Sequence, residues 1–582
     1  MGTSDEEIDR LLGKLTPRAR ALLLTGATTW RTKAEPAVSL RELVMSDGPA
    51  GVRGEAWDER ITSVLLPSAS ALAATWDEAL VERLGGLLAA EARRKGVDVL
   101  LAPTLNLHRS PLGGRHFECL SEDPELTGRI GAALIRGVQA HGVAATAKHY
   151  VANDSETDRL TVDVRVGERA LREVYLAPFE AAVAAGVRLV MAGYNAVNGT
   201  TMTASALLTD PLKSEWGFDG VVVSDWGAVR GTVDTARAGL DLAMPGPEGP
   251  WGEALARAVA DGDVPGATVD DKARRLLRLA ARLDALDGPD SHRLPPTGES
   301  RGGERPAVPA SSAARGTPRR PVPTDNARGT ERPSTPAPSP TRDDRARARV
   351  RTLVRRAVAA GAVLLANRDV LPLDPERLAT VAVIGAHAAR TRTQGGGSAG
   401  VFPGEEVSVL DGIRAELRDR AARVVHVPGP RPDGPAPPLA PDDCTDPRSG
   451  LPGVLLRMLD TEGRELYAER RLGGRLLEPR LVPGAHTVEI CARLRPRTTG
   501  SWTLGVAGFG RMSLTLDGRT LLAGDFPPRT DDPAVVHVNP PAQYASAHLA
   551  VGRDALLVAR RELAPGTGRA TVLVAAPPAP DV

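Results

Sequence analysis

The residues best suited to chemistry each follow an apolar run. Val221-Val222-Val223-Ser224-Asp225-Trp226-Gly227 is the plainest case. A β-branched stretch ends in a carboxylate, an aromatic ring and a glycine. Such runs read as strands buried on both faces, the usual case in parallel sheets. A carboxylate placed there is costly to bury unless something pairs or uses it. Asp225 is therefore a candidate working carboxylate, and capping of the next helix is the plainer alternative. Asp47, Arg115, Lys148, His149 and Tyr194 also come just after predicted strands. Singly, each has an ordinary explanation. Asp47 closes a turn with Gly48-Pro49, Lys148-His149 is a solvated strand end, and Tyr194 belongs to the core. Six such positions in one chain point instead to a shared site.

What must position them is a strand–helix alternation over residues 1 to about 285. A helical pattern from about Asp77 to Lys95 leads into the apolar run Val97 to Ala102. Ser121-Glu122-Asp123-Pro124 opens a second helix, with a capping acid and a proline in the first turn. The run Val143 to Ala147 ends in Lys148-His149-Tyr150. A helix over about Gly167 to Ala185 precedes the run Val187 to Ala192, which ends in Gly193-Tyr194-Asn195. A further helix is expected before Val221. Strands alternating with long helices mean parallel βαβ units. Their number favours an α/β fold of the (β/α) TIM-like barrel type, whose strand-to-helix loops converge on one face. Lys148 and Asp47, at strand ends on that face, are expected to matter for binding rather than for stability.

At 582 residues the chain is too long for one core. Residues 287–345, rich in Pro, Arg, Ser, Thr and Gly without apolar periodicity, read as a disordered linker. An αβ pattern returns over 346–449. From about 450 to 582, short alternating strands separated by Gly, Pro and Asp turns read as a β-sandwich. Gly385-Ala386-His387 and the Gly395-Gly396-Gly397 run lack the spacing of a dinucleotide fingerprint. A formal net charge of +1 gives no reason to expect nucleic acid or a membrane surface as partner. Cys119, Cys444 and Cys491 are too scattered for a metal or disulfide framework. The acidic start lacks a basic-then-apolar leader, so a cytoplasmic location is expected.

Several stretches together resemble glycoside hydrolase family 3, in its β-glucosidase branch. They are Ser46-Asp47-Gly48-Pro49-Ala50-Gly51-Val52-Arg53, Gly114-Arg115-His116-Phe117-Glu118, Lys148-His149-Tyr150, Met191-Ala192-Gly193-Tyr194-Asn195 and Val223-Ser224-Asp225-Trp226. The resemblance implies a (β/α) barrel, then a partial αβα sandwich with its glycine loop, then a β-sandwich insert like a domain of anthrax protective antigen. It implies a retaining hydrolase of β-D-glucosides needing no cofactor, with Asp225 as nucleophile. Asp47, Arg53, Arg115, Lys148 and His149 would bind sugar hydroxyls, Tyr194 would lie beside the nucleophile, and Trp226 would form an aromatic wall. Nearby Lys and Arg would lower the pKa of Asp225. β-Xylosidase and N-acetyl-β-hexosaminidase are family alternatives, and a non-catalytic carbohydrate-binding remnant is a third.

In relatives with this insert, the acid/base glutamate follows it. The resemblance therefore implies a truncated member, or one whose other part is supplied separately, with impaired hydrolysis. Glu405 and Glu406 are the nearest substitutes.

Overall fold

The computed structural model describes residues 4–286, 342–429, 434–530, 532 and 534–578. The expected linker over 287–345 lies outside the described residues except at its end. Residues 342–345 belong instead to the helix Arg342–Gly361.

Five short strands make the frame of the first unit. They are β1 (Met45–Asp47), β2 (Val99–Leu101), β3 (Ala144–Tyr150), β4 (Leu189–Ala192) and β5 (Val221–Ser224). They pair in parallel in chain order, and every residue in them is buried. This two-sided burial explains why the runs are continuously apolar rather than alternating. The ring closes without further long strands. Val223 and Leu242 form one parallel bridge and Thr25 and Ala243 another, while Gly26–Thr32 and Arg31–Val44 are antiparallel.

Helices cover this sheet in the expected order. Asp77 accepts from the Leu80 amide and starts the helix Glu78–Arg94, whose Leu80, Val81, Leu84, Leu88 and Ala92 form a buried stripe at helical spacing. Asp123 caps Pro124–Gln139 in the same way. These two helices pack closely because Gly137 has no side chain: a Cβ there would sit 2.0 Å from the Glu82 carbonyl oxygen. No regular α-helix lies between β4 and β5, where every residue is described, contrary to expectation. A hairpin of Ala196–Val197 and Thr200–Thr201 and two single 3₁₀ turns fill the space. Asn198 and Gly199, both at positive φ, are the chemistry of a tight hairpin turn and interrupt any helix.

In the second unit, β6 (Thr380–Ile384) and β7 (Arg423–Val427) pair in parallel, and among the described residues they form a two-stranded sheet. Its surface is unusually open for a parallel sheet, with Ile384 75% and Val427 51% exposed. The glycine loop that follows β6 returns to the barrel, where Ser63 donates to the Phe402 carbonyl at 2.8 Å.

The β-rich unit is a sandwich, as the alternating pattern implies. One sheet contains Val454–Leu459, Thr487–Leu494 and Ala555–Glu562; the other contains Gly500–Ala507, Ala542–Leu549 and Thr571–Ala576. Leu456, Ile490, Leu504, Leu514 and Leu573 lie in the shared core. The sandwich docks on the barrel through Trp57, packed with Leu477, Val572 and Val574, and through two polar contacts. Arg471 Nε donates to Glu59 at 2.9 Å, and Arg60 donates to Glu469 at 2.7 Å.

Candidate active site

Asp225 follows β5 directly and is 9% exposed. Its Oδ1 accepts from the Trp226 amide at 2.8 Å. Its Oδ2 lies 3.7 Å from His149 Nε2. That imidazole is fixed from behind by Asn106, whose Oδ1 takes both the His149 amide (2.8 Å) and Nδ1 (3.0 Å). The geometry assigns the proton to Nδ1, leaving Nε2 to accept from Arg115 Nη2 at 3.2 Å. Burial, then the cations Arg115, Lys148 and Arg159, hold the His149 pKa well below its ordinary value. His149 is thus neutral and makes no ion pair with Asp225.

Lys148 Nζ bonds Asp47 Oδ1 at 3.1 Å and lies 4.0 Å from Glu118. Adjacent residues of a strand normally point to opposite faces. Here the register of β3 against β4 shifts between Lys148 and Tyr150, and Lys148 and His149 reach the same cluster. The "solvated strand end" explanation fails for Lys148, which is 2% exposed. Burial alone would raise the Asp47 pKa, but Lys148 and Arg53 outweigh it and hold the carboxyl below its usual range.

Arg53 lies 3.7 Å from Asp47 and sits over both Trp30 (4.1 Å) and Trp57 (4.5 Å). Its Nη1 donates to the Ser398 carbonyl at 3.0 Å, tying the glycine loop to the site, while Nη2 is buried without a partner. Arg115 is fork-bonded to buried Glu118 at 2.9 and 3.1 Å. Trp226 stacks near Trp30, with ring centroids 5.2 Å apart, and donates from Nε1 to Thr29. Tyr194 donates its hydroxyl to the Trp226 carbonyl at 2.9 Å. All eight residues marked from the sequence, Asp47, Arg53, Arg115, Lys148, His149, Tyr194, Asp225 and Trp226, therefore lie in one connected cluster.

The direction of the Asp225 pKa differs from expectation. Burial raises it, and Arg115 and Lys148 only partly offset that effect. Desolvation of the anion outweighs attraction by the surrounding cations. Carboxylates and cations in mutual contact, beside stacked tryptophans, suit a polyhydroxylated ring: charged forks for its hydroxyls, aromatic faces for its C–H surface.

Glu405 pairs with Arg351 at 2.9 Å and Glu406 accepts from Thr393 at 2.7 Å. A separate cleft of about 760 Å³ on the sandwich, lined by Arg448, Arg457, Glu489, Cys491 and Arg560 among others, shares no residue with the cluster. Its charges pair with one another, Glu489 taking both Arg457 and Arg560.

Residues 34–279 match the glycosyl hydrolase family 3 N terminal domain, and residues 362–559 match the family's C-terminal domain. The chain belongs to glycosyl hydrolase family 3. It is 44% identical over 414 residues to a beta-glucosidase of Rhizobium radiobacter, a match covering 70% of this chain and 45% of that protein. It is 37% identical over 538 residues to beta-glucosidase B of Emericella nidulans, covering 88% and 56%. The chain thus spans about half the length of these curated relatives. The crystal structure of a beta-glucosidase from Kluyveromyces marxianus superposes with a TM-score of 0.81 at 25% identity, over 98% of this chain and 65% of that one.

This family 3 chain also brings in residues that sequence reasoning missed. Arg159 lies with its guanidinium 5.0 Å from the Tyr194 ring centroid and is among the cations acting on Asp225. It follows a loop rather than a strand, so the strand-end rule passed over it. Trp30 and Asn106 join through packing and hydrogen bonds that only the fold reveals.

Proposed function

We propose that this protein transfers terminal β-D-glucosyl residues to water by a retaining double displacement, with Asp225 as nucleophile. The observation that carries the reading is the Asp225 carboxylate at the end of β5, held through Oδ1 by the Trp226 amide and ringed by Arg115, Lys148 and neutral His149. Fixing Oδ1 leaves Oδ2 as the attacking oxygen. It would form a bond to the anomeric carbon as the aglycone oxygen leaves with the bonding pair; water then attacks that carbon with a second inversion, the bond to Asp225 breaks to return the carboxylate, and the proton released by water balances the one taken up by the aglycone oxygen through solvent. Asp47, Lys148 and Arg115 would grip the sugar hydroxyls by charge-assisted hydrogen bonds, which position the ring for in-line attack. Arg53, with one unused buried nitrogen, would complete the subsite, and His149 would hold Arg115 in place through Nε2. Trp226 and Trp30 would wall it.

Support for glucose as the sugar comes from the names of the relatives and from the Kluyveromyces marxianus beta-glucosidase solved in complex with glucose. A panel of 2,4-dinitrophenyl β-glycosides tests this, because that leaving group departs without protonation and so reports on Asp225 alone. The glucoside should react at least about 10-fold faster than the xyloside or the N-acetylglucosaminide, the range one pocket-matched group commonly provides. Preference for either of the others would reassign the sugar.

A further inference from the structure

We infer that Asp532, in the β-sandwich, is a positioning residue for the reaction centre of the barrel and acts through Arg159. The inference rests on the glycosidase reading above. Arg159 has two hydrogen-bonded partners: Nη1 donates to Glu156 at 3.0 Å, and Nη2 donates to Asp532 Oδ1 at 2.7 Å. Its Nε is buried and unpartnered. The guanidinium rests on the Tyr194 ring, and the Tyr194 hydroxyl is bonded to the Trp226 carbonyl, one residue from Asp225. Arg159 is 12% exposed and Asp532 21% along their side chains, so the pair is shielded enough to exceed a surface ion pair.

The sandwich holds the backbone that carries the Asp532 carboxylate. The Asp532 amide donates to Thr530 Oγ1 at 3.1 Å, and its carbonyl takes the Val535 and Val536 amides at 3.0 and 2.9 Å. Val536 is 6% exposed and packs against Gly568, where any Cβ would meet the Val536 carbonyl oxygen at 2.4 Å. A residue more than 370 positions away in sequence is thereby held against Arg159. Docking of the sandwich does not depend on this pair, because Arg471–Glu59, Arg60–Glu469 and the Trp57 cluster hold the same two units together. Removing the Asp532 charge should therefore loosen Arg159 over Tyr194 without separating the units.

The test is a double-mutant cycle on the full chain with Asp532→Asn, Arg159→Gln and both together. Two readouts are taken: kcat and KM for 2,4-dinitrophenyl β-glucoside, and calorimetric affinity for the basic sugar mimic isofagomine. Loss of a charge-assisted hydrogen bond predicts a fall of about 10–100-fold in kcat for Asp532→Asn, with KM changing less. Asp532→Glu should recover most of it, and Asp532→Asn should add nothing in the Arg159→Gln background. Activity within twofold of wild type, or an equal loss in both backgrounds, would overturn the inference. Coupling seen in isofagomine affinity without any turnover would keep the positioning role and reject the glycosidase reading. A wild-type chain that neither turns over the glucoside nor binds the mimic would reject both.

Discussion

Asp225→Asn is expected to abolish glycosyl transfer while leaving the protein folded and no less stable at pH 7. The rate on dinitrophenyl β-glucoside should fall by roughly 10³–10⁶-fold, the scale of losing a nucleophile. Stability should move the other way for a stated reason. Burial raises the Asp225 pKa above its unfolded value. A raised carboxyl contributes stability at low pH that is lost as pH rises through the folded pKa. Above that pKa folding must desolvate an anion, and asparagine removes this cost while keeping an acceptor for the Trp226 amide. Thermal melting at pH 7 should show an equal or higher midpoint. A variant that kept wild-type turnover would remove Asp225 from its role, and a large drop in melting temperature would make the carboxylate structural instead.

Lys148→Ala is expected to be costly in both binding and stability. Strand-end position alone predicts an effect on binding only, but Lys148 and Asp47 are buried and paired, so stability is lost as well. Truncating the lysine leaves Asp47 buried with its nearest remaining cation, Arg53, 3.7 Å away. Breaking a buried pair in this way costs about 3–5 kcal/mol. The sign with pH follows from the lowered Asp47 pKa. A depressed carboxyl contributes stability above its unfolded pKa of about 3.9 and loses it as pH falls through the folded value. The gap between wild type and Lys148→Ala, read from urea midpoints, should therefore be full near neutral pH and shrink below pH ~4. A gap independent of pH would mean that lost packing, not the Asp47 charge, accounts for the effect.

Much of this arrangement is legible in the sequence because local chemistry and global fold agree. The Asp77 and Asp123 caps, the prolines and the apolar stripes mark helices that form where the pattern puts them. The strand-end rule finds Asp47, Lys148, Tyr194 and Asp225 because the strands run parallel, and that points their following residues to one end of the barrel. What stays hidden depends on tertiary contact. Thr25 and Leu242 close the ring through single bridges, too short to leave an apolar run. Lys148 and His149 reach one cluster through a register shift in β3 that no alternation rule contains. Asn106 sets the His149 tautomer, and Asp532 reaches Arg159 from another unit, without either leaving a spacing signal. The direction of the Asp225 pKa stays hidden too, because residue types reveal the surrounding cations but not the depth of burial.

Asp225 is the residue expected to attack the anomeric carbon. Incubating the chain with 2,4-dinitrophenyl 2-deoxy-2-fluoro-β-D-glucoside tests it most directly, because fluorine slows the second displacement and lets the glycosyl-enzyme persist. Digestion and mass spectrometry should find one fluoroglucosyl group per chain, on the peptide containing Asp225 and on that side chain. Dinitrophenol released with the label on another residue, or with no label at all, would contradict it.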